Sequence, residues 1–137
     1  MNQEIKSGCT ADEAARFCAD WLPAWTGGDA DRLTAFYTDD AFYSDPAVPG
    51  GVEGRDALHR YFSKLLSAYP DWVWTHRRSL PVPDGFLNYW SATLSADPSA
   101  PRWEGVCVVR LREGRIFRNE VFFDRTELLR HLPERRG

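Results

Sequence analysis

The sequence predicts an α+β domain in which three helices cover one face of a strongly curved, mainly antiparallel sheet. Three observations carry this expectation. Apolar residues recur at three- and four-residue spacing in the first half of the chain, the period of an amphipathic helix. From Trp72 onward the pattern changes to short alternating runs rich in Val, Trp, Tyr and Phe, the period of strands. Turn residues then cut that half into four strands. Strands with one face covered by helices should curl around them into a cone and can leave a dry pocket between the layers.

The first helix has a start signal at Thr10, a capping residue with Glu13 three positions later. Ala14, Phe17, Cys18, Trp21 and Trp25 form its apolar stripe. Pro23 kinks or ends it, and Gly27-Gly28-Asp29 stops it. Asp29 or Asp31 opens a second, short helix through Leu33, Phe36 and Tyr37, ending at Thr38-Asp39-Asp40. Ala41 to Asp45 reads as a short strand, followed by a Pro/Gly loop. Gly54 precedes a third helix whose buried face is Leu58, Tyr61, Phe62, Leu65 and Leu66, ended by Tyr69-Pro70-Asp71. The four strands are then "WVWTHRRSL", "FLNYWSATL", "RWEGVCVVRLR" and "IFRNEVFF". "PVPDG", "SADPSAP" and "EGR" lie between them. "RTELLRHL" reads as a terminal helical turn, and Pro133 with "ERRG" as a frayed end.

With 137 residues the chain is expected to be a single domain, residues 1–137, with its core at about 10–128. A formal charge of -3 and a pI near 5.6 give no electrostatic reason to expect nucleic acid or an anionic membrane as partner. The first residues lack the apolar core of a signal peptide, and no run reaches membrane-spanning length, so a cytoplasmic location is expected. Cys9, Cys18 and Cys107 show no metal spacing and are expected as reduced thiols, the latter two in the core. His59, His76 and His131 show none either; no metal and no cofactor are expected. Six Trp, eight Phe and five Tyr are many for a small core. Some should line a cavity or an interface.

The stretch "AWTGGDADRLTAFYTDDAFYSDPAVPGGVEGRDALHRYF", Ala24 to Phe62, and the closing "LREGRIFRNEVFFD" resemble the nuclear transport factor 2-like superfamily. Within it the chain is most similar in style to SnoaL-like polyketide cyclases and ketosteroid isomerases. The resemblance covers about residues 12–126. It implies the cone-shaped α+β fold and an acid/base enzyme of isomerase, cyclase or dehydratase type, working without a cofactor on a hydrophobic carbonyl compound. It implies Asp45 as the general base, from its place in the strand-Asp-Pro motif. The family's oxyanion donors fall at Trp21 and Cys107, neither of which is the expected Tyr or acid, and the inner acid of the last strand falls at Val121. These replacements argue against ordinary ketosteroid isomerase or SnoaL-type chemistry. They favour the alternative, a non-catalytic small-molecule-binding or dimerisation module. Epoxide hydrolysis ranks last, because it needs an Arg inside the pocket, whereas Arg110 and Arg112 are expected on the outer face.

Read from the residues alone, Asp45 before Pro46 is either a turn former or a base made stronger by an apolar pocket. Tyr43 shares its strand face and could steady an enolate oxygen. His76 shares a face with Trp72 and Trp74 and could serve as acid, base or donor to a carbonyl oxygen, or be a histidine satisfied inside. His59 is expected to face solvent. Asn88 and Asn119 in strand centres need amide partners, either a ligand or each other. Tyr61, Trp21, Trp25, Trp74, Trp90 and Trp103 could supply walls for a hydrophobic or polycyclic ligand, or simply core. The exposed sheet face is expected to pair with a second copy as a homodimer.

Overall fold

In the computed structural model, which describes residues 9–126 and Leu129, the chain forms three α-helices and one six-stranded mixed sheet. The predicted terminal helical turn after Arg125, His131 and the residues from Pro133 lie, apart from Thr126 and Leu129, outside the described residues.

Helix α1 (Ala11–Trp21) starts where the capping residues require. Thr10 accepts from the Glu13 amide at 3.1 Å and Glu13 accepts from the Thr10 amide at 2.8 Å, satisfying two orphan donors. Pro23 converts its end into a 3₁₀ turn, Leu22–Trp25, and Gly27 and Gly28 turn the chain at φ 98° and 81°. Helix α2 is shorter than the sequence suggests: Ala30–Thr34, capped by Asp29. Tyr37 already belongs to strand β1 (Tyr37–Asp45), so Thr38-Asp39-Asp40 is strand and not a helix end. The reason is tertiary. The carbonyl of Phe36 accepts the Ile116 amide at 2.8 Å, and Tyr37 pairs with Ile116, capturing that segment for the sheet.

The Pro/Gly segment is also not a loop. Val48–Glu53 forms β2, antiparallel to β1, with Asp45 opposite Val48. Helix α3 (Arg55–Ala68) buries Leu58, Phe62 and Leu66 completely, each worth roughly 1.5–3 kcal/mol. Strands β3 (Val73–Val82), β4 (Gly85–Thr93), β5 (Arg102–Arg112) and β6 (Arg115–Phe123) follow as an antiparallel meander. Asp84 (φ 68°), and Glu113 with Gly114 (φ 54° and 82°), make the tight hairpin ends. The order is β2-β1-β6-β5-β4-β3, and β1 runs parallel to β6.

One sheet face is apolar and covered. Helix α1 packs on β3 and β4, and α3 packs on β1 and β2. Across β4, β5 and β6 the buried face reads Trp90, Gly105, Phe123 and, one row on, Asn88, Cys107, Val121. Gly105 is part of this packing. A Cβ there would lie 2.5 Å from Trp90 Cζ2, so the absent side chain lets the indole lie against the strand. Among the described residues no helix is long and apolar enough to cross a membrane.

Candidate functional site

The last residue of β1 is built into the molecule from both sides. Asp45 Oδ1 accepts the amides of Ala47 (2.8 Å) and Val48 (3.1 Å), which closes the two-residue turn into β2. Asp45 Oδ2 accepts the Tyr43 hydroxyl at 2.7 Å. The Tyr61 hydroxyl, from α3, bridges both oxygens at 3.0 and 2.8 Å. Asp45 as a residue is 7% exposed. One oxygen forms the turn, and the other faces phenols.

A bulge between Tyr43 and Asp45 shifts the β1–β2 register at this point. Tyr43 is in register with Asn119 of β6 and Asp45 with Val48 of β2, so the acid sits where the strand ends.

Beside the acid is a cavity of about 140 Å³. Tyr43, Asp45 and Ala47 form its polar end, Leu65, Tyr69, Trp72, Trp74 and Phe123 its apolar walls, and Arg125 and Leu129 complete the lining. The walls are clipped in place. Trp72 Nε1 donates to the Trp25 carbonyl (2.6 Å), Thr26 Oγ1 to the Trp72 carbonyl (2.6 Å), and the Gly27 amide to the Pro70 carbonyl (2.7 Å). Tyr69 stacks on Trp72 at 4.7 Å and 11°, and Trp74 meets Trp72 edge-on at 5.1 Å. This volume is close to what one benzene ring occupies in a protein core, smaller than the polycyclic ligand expected from the sequence. A shallower groove of about 300 Å³ along Ser44, Pro46, Pro49 and Phe122 reaches Asp45 and Phe123 from the other side. The larger hollow around Asp39, Asp40, Arg112 and Arg115 is polar, and Arg112 is already paired with Asp40 there.

Of the residues singled out in the sequence, Asp45, Tyr43 and Trp74 line the cavity. Tyr61 does not line it but holds the acid from behind. Trp21, Trp25, Trp90 and Trp103 lie under it as core, between 0% and 5% exposed. Trp25 touches Tyr43, Phe62, Trp72 and Trp74, with ring centroids 5.4 to 6.4 Å away. His76 is not at the cavity. Its Nδ1 is 2.7 Å from Asn88 Oδ1 and its Nε2 is 3.4 Å from Ser79 Oγ.

Asn88 and Asn119 point inward but do not bond each other. Asn119 donates to Tyr37 at 3.1 Å, and each amide keeps one unpartnered atom, Asn88 Nδ2 and Asn119 Oδ1. Cys107 accepts from Trp90 Nε1 at 3.1 Å, and Val121 is buried where an acid would face inward. Glu120 is half-buried on the opposite face and Asp124 is exposed, so neither replaces it. Arg110 and Arg112 are exposed, and His59 pairs with Asp31 at 2.7 Å near the surface.

The sequence reading missed Tyr69, Leu65 as a cavity wall, and Arg125. Arg125 lies beyond Phe123, the last residue of β6, so strand alternation carries no signal for it.

Burial dominates the ionisation of the phenols. It pushes Tyr43 and Tyr61 well above the usual tyrosine range, and the negative charge of Asp45 adds to the rise. Burial raises Tyr37 in the same way, and lifts the Cys18 thiol to about 12. Both site phenols are therefore protonated donors at any working pH. An unfolded tyrosine ionises near pH 10 (about 10), so the stability these groups contribute is complete below that pH and is lost as pH rises toward their folded values. Alkaline titration should show Tyr37, Tyr43 and Tyr61 ionising only together with loss of the far-ultraviolet circular dichroism signal. Phenolate absorbance from these three appearing in an intact fold would contradict this assignment.

Residues 18–119 match the family model of the SnoaL-like domain. Three solved structures are similar. A SnoaL-like family protein from Agrobacterium tumefaciens is 20% identical, with a TM-score of 0.68 over 82% of this chain and 98% of that one. A protein with a ketosteroid isomerase-like fold from Catenulispora acidiphila, solved in complex with trimethylamine, is 17% identical, with a TM-score of 0.70 over 85% and 93%. A phenazine biosynthesis-related protein from Pseudomonas aeruginosa is 18% identical, with a TM-score of 0.64 over 92% and 96%. No curated protein matches the chain in sequence. At these identities the structural likeness concerns the fold alone.

Proposed function

Because the chain belongs to the SnoaL-like domain family, we propose that it is a cofactor-free acid/base enzyme that moves a proton α to the carbonyl of a small hydrophobic molecule. The observation that carries this reading is the buried Asp45 carboxylate, held by four groups and set at the end of an aromatic cavity. In the proposed step, a C–H bond next to a carbonyl breaks, its proton goes to Asp45 Oδ2, and its electron pair moves to the carbonyl oxygen.

A carboxylate offers about four lone-pair sites, so its donors nearly saturate it, and one of them has to leave. Tyr43 is that group, since it lines the cavity and Tyr61 does not. Turning from Asp45 to the ligand oxygen, it frees a lone pair for the proton and donates to the developing enolate. Tyr61 and the two amides keep the acid in place meanwhile. Return of the proton to another carbon gives isomerisation; attack by the enolate, or loss of a leaving group from it, gives cyclisation or dehydration. The ring walls exclude water and so strengthen each of these contacts. The register shifts of the sheet near Asp45, Arg78 and Leu111 are consistent with such an enclosed site.

The test is deuterium exchange, followed by NMR, at the methylene of a small aryl ketone such as phenylacetone. Exchange above the buffer rate that disappears in Asp45→Asn supports the reading. Wild-type exchange no faster than buffer would leave the second reading, a non-catalytic binding or dimerisation module. The apolar residues Trp21, Cys107 and Val121, where the family pattern has polar groups, favour that second reading. Epoxide hydrolysis remains last, with Arg110 and Arg112 outside.

We also propose a homodimer through the uncovered sheet face, where Leu80 and Phe122 are 39% and 52% exposed. Sedimentation at micromolar concentration should give twice the chain mass of 15.7 kDa. A monomer would refute the pairing.

A further inference from the structure

The cavity holds a cation that the proton-transfer step does not use. The chain leaves β6 at Phe123 and turns at once. Asp124 Oδ1 accepts the Thr126 amide (2.9 Å) and hydroxyl (2.7 Å), which fixes the turn around Arg125. Arg125 is half-buried, lines the cavity together with Asp45, and is not itself the partner of that acid. Among the described residues it makes no ion pair within 4.0 Å, whereas Arg55, Arg77, Arg112 and Arg118 each have a carboxylate. A guanidinium is charged at every working pH and presents five donors in a fork that fits a carboxylate. Placed on the lining of a mainly apolar cavity, those donors offer a partner for an anionic group.

Resting on the Asp45 reading above, we propose that the natural ligand is a small, one-ring carbonyl compound bearing an anionic group, first of all a carboxylate, which pairs with Arg125 while the carbon to be deprotonated lies over Asp45. The two charged residues of the lining have separate tasks. Asp45 already spends its charge on two amides and two phenols, which lessens its repulsion of an incoming anion. Deprotonation adds a second negative charge to the ligand, and Arg125 offsets it. The charge of Arg125 is felt inside the site: it opposes the rise that burial and Asp45 impose on Tyr61.

Benzoate and benzamide, equal in shape and different in charge, are the probes, with binding read by quenching of the indoles around the cavity. Wild-type protein should bind benzoate at least roughly tenfold more tightly than benzamide, the value of one charge-assisted pair. Arg125→Met should weaken benzoate by roughly 10- to 100-fold with benzamide unchanged, and Arg125→Lys should keep part of the preference. Equal binding of both probes, binding of neither, or a preference that survives Arg125→Met overturns the proposal. Asp45→Asn separates this from the catalytic reading, because it should retain the benzoate preference. Preference without proton exchange in the wild type would sink the base and keep the anion site; exchange without preference would do the reverse.

Discussion

Asp45→Asn should cut proton exchange by roughly 10²-fold or more, the general-base contribution, while the protein stays folded and ligand affinity stays nearly the same. The geometry explains why the fold tolerates the change. An asparagine has the same shape, and its carbonyl oxygen can keep the Ala47 and Val48 amides that close the β1–β2 turn. Its NH₂ then faces the Tyr43 and Tyr61 hydroxyls, which can rotate and accept, since a hydroxyl is both donor and acceptor. What is lost is the charge, and with it the capacity to take a proton. Bonds to a charged group are worth about 1.5–3 kcal/mol each, so a modest loss of stability is expected alongside, seen as a lower melting temperature. Exchange that persists at the wild-type rate in a folded Asp45→Asn protein would remove Asp45 from the mechanism.

Trp25→Ala is expected to destabilise the fold by about 3–5 kcal/mol, the usual cost of emptying a large aromatic site. That is a large share of a typical 5–15 kcal/mol total. Trp25 is 3% exposed and its ring meets Trp21, Tyr43, Phe62, Trp72 and Trp74. The carbonyl of the same residue holds the Trp72 indole, which is a wall of the cavity. Truncation should therefore loosen the pocket as well as the core, and the loss of exchange should exceed the loss expected from the unfolded fraction alone. Trp25→Phe keeps most ring contacts and should remain folded. Urea unfolding followed by fluorescence measures both. A destabilisation under about 1 kcal/mol, the level of a surface change, would mean that the ring cluster is not the core described above.

Much of the architecture was legible because side-chain period fixes which face a residue takes. Alternation with apolar neighbours put Arg110 and Arg112 on the outer face of their strand, and both are exposed there. The capping pair Thr10 and Glu13 and the buried row of α3 were local signals of the same kind. Strand β2 was not legible. Val48–Glu53 contains Pro49, Gly50 and Gly51, poor strand formers, and it is held by pairing with β1 and by nothing in its own composition. The extra length of β1 was hidden for a related reason: its pairing partner, Ile116, lies almost 80 positions away in the chain.

The sequence by itself determined that an acid would end a strand beside aromatic residues, because strand period and the Asp-Pro turn are properties of neighbouring residues. Only the tertiary structure decided that Tyr61 from α3 reaches that acid, that His76 turns to Asn88, that Trp72 and Trp74 wall a cavity with little more than one ring of space, and that Arg125 borders it. Those outcomes depend on which distant elements meet, and the parallel pairing of β1 with β6 that brings them together is a long-range choice that no local spacing encodes.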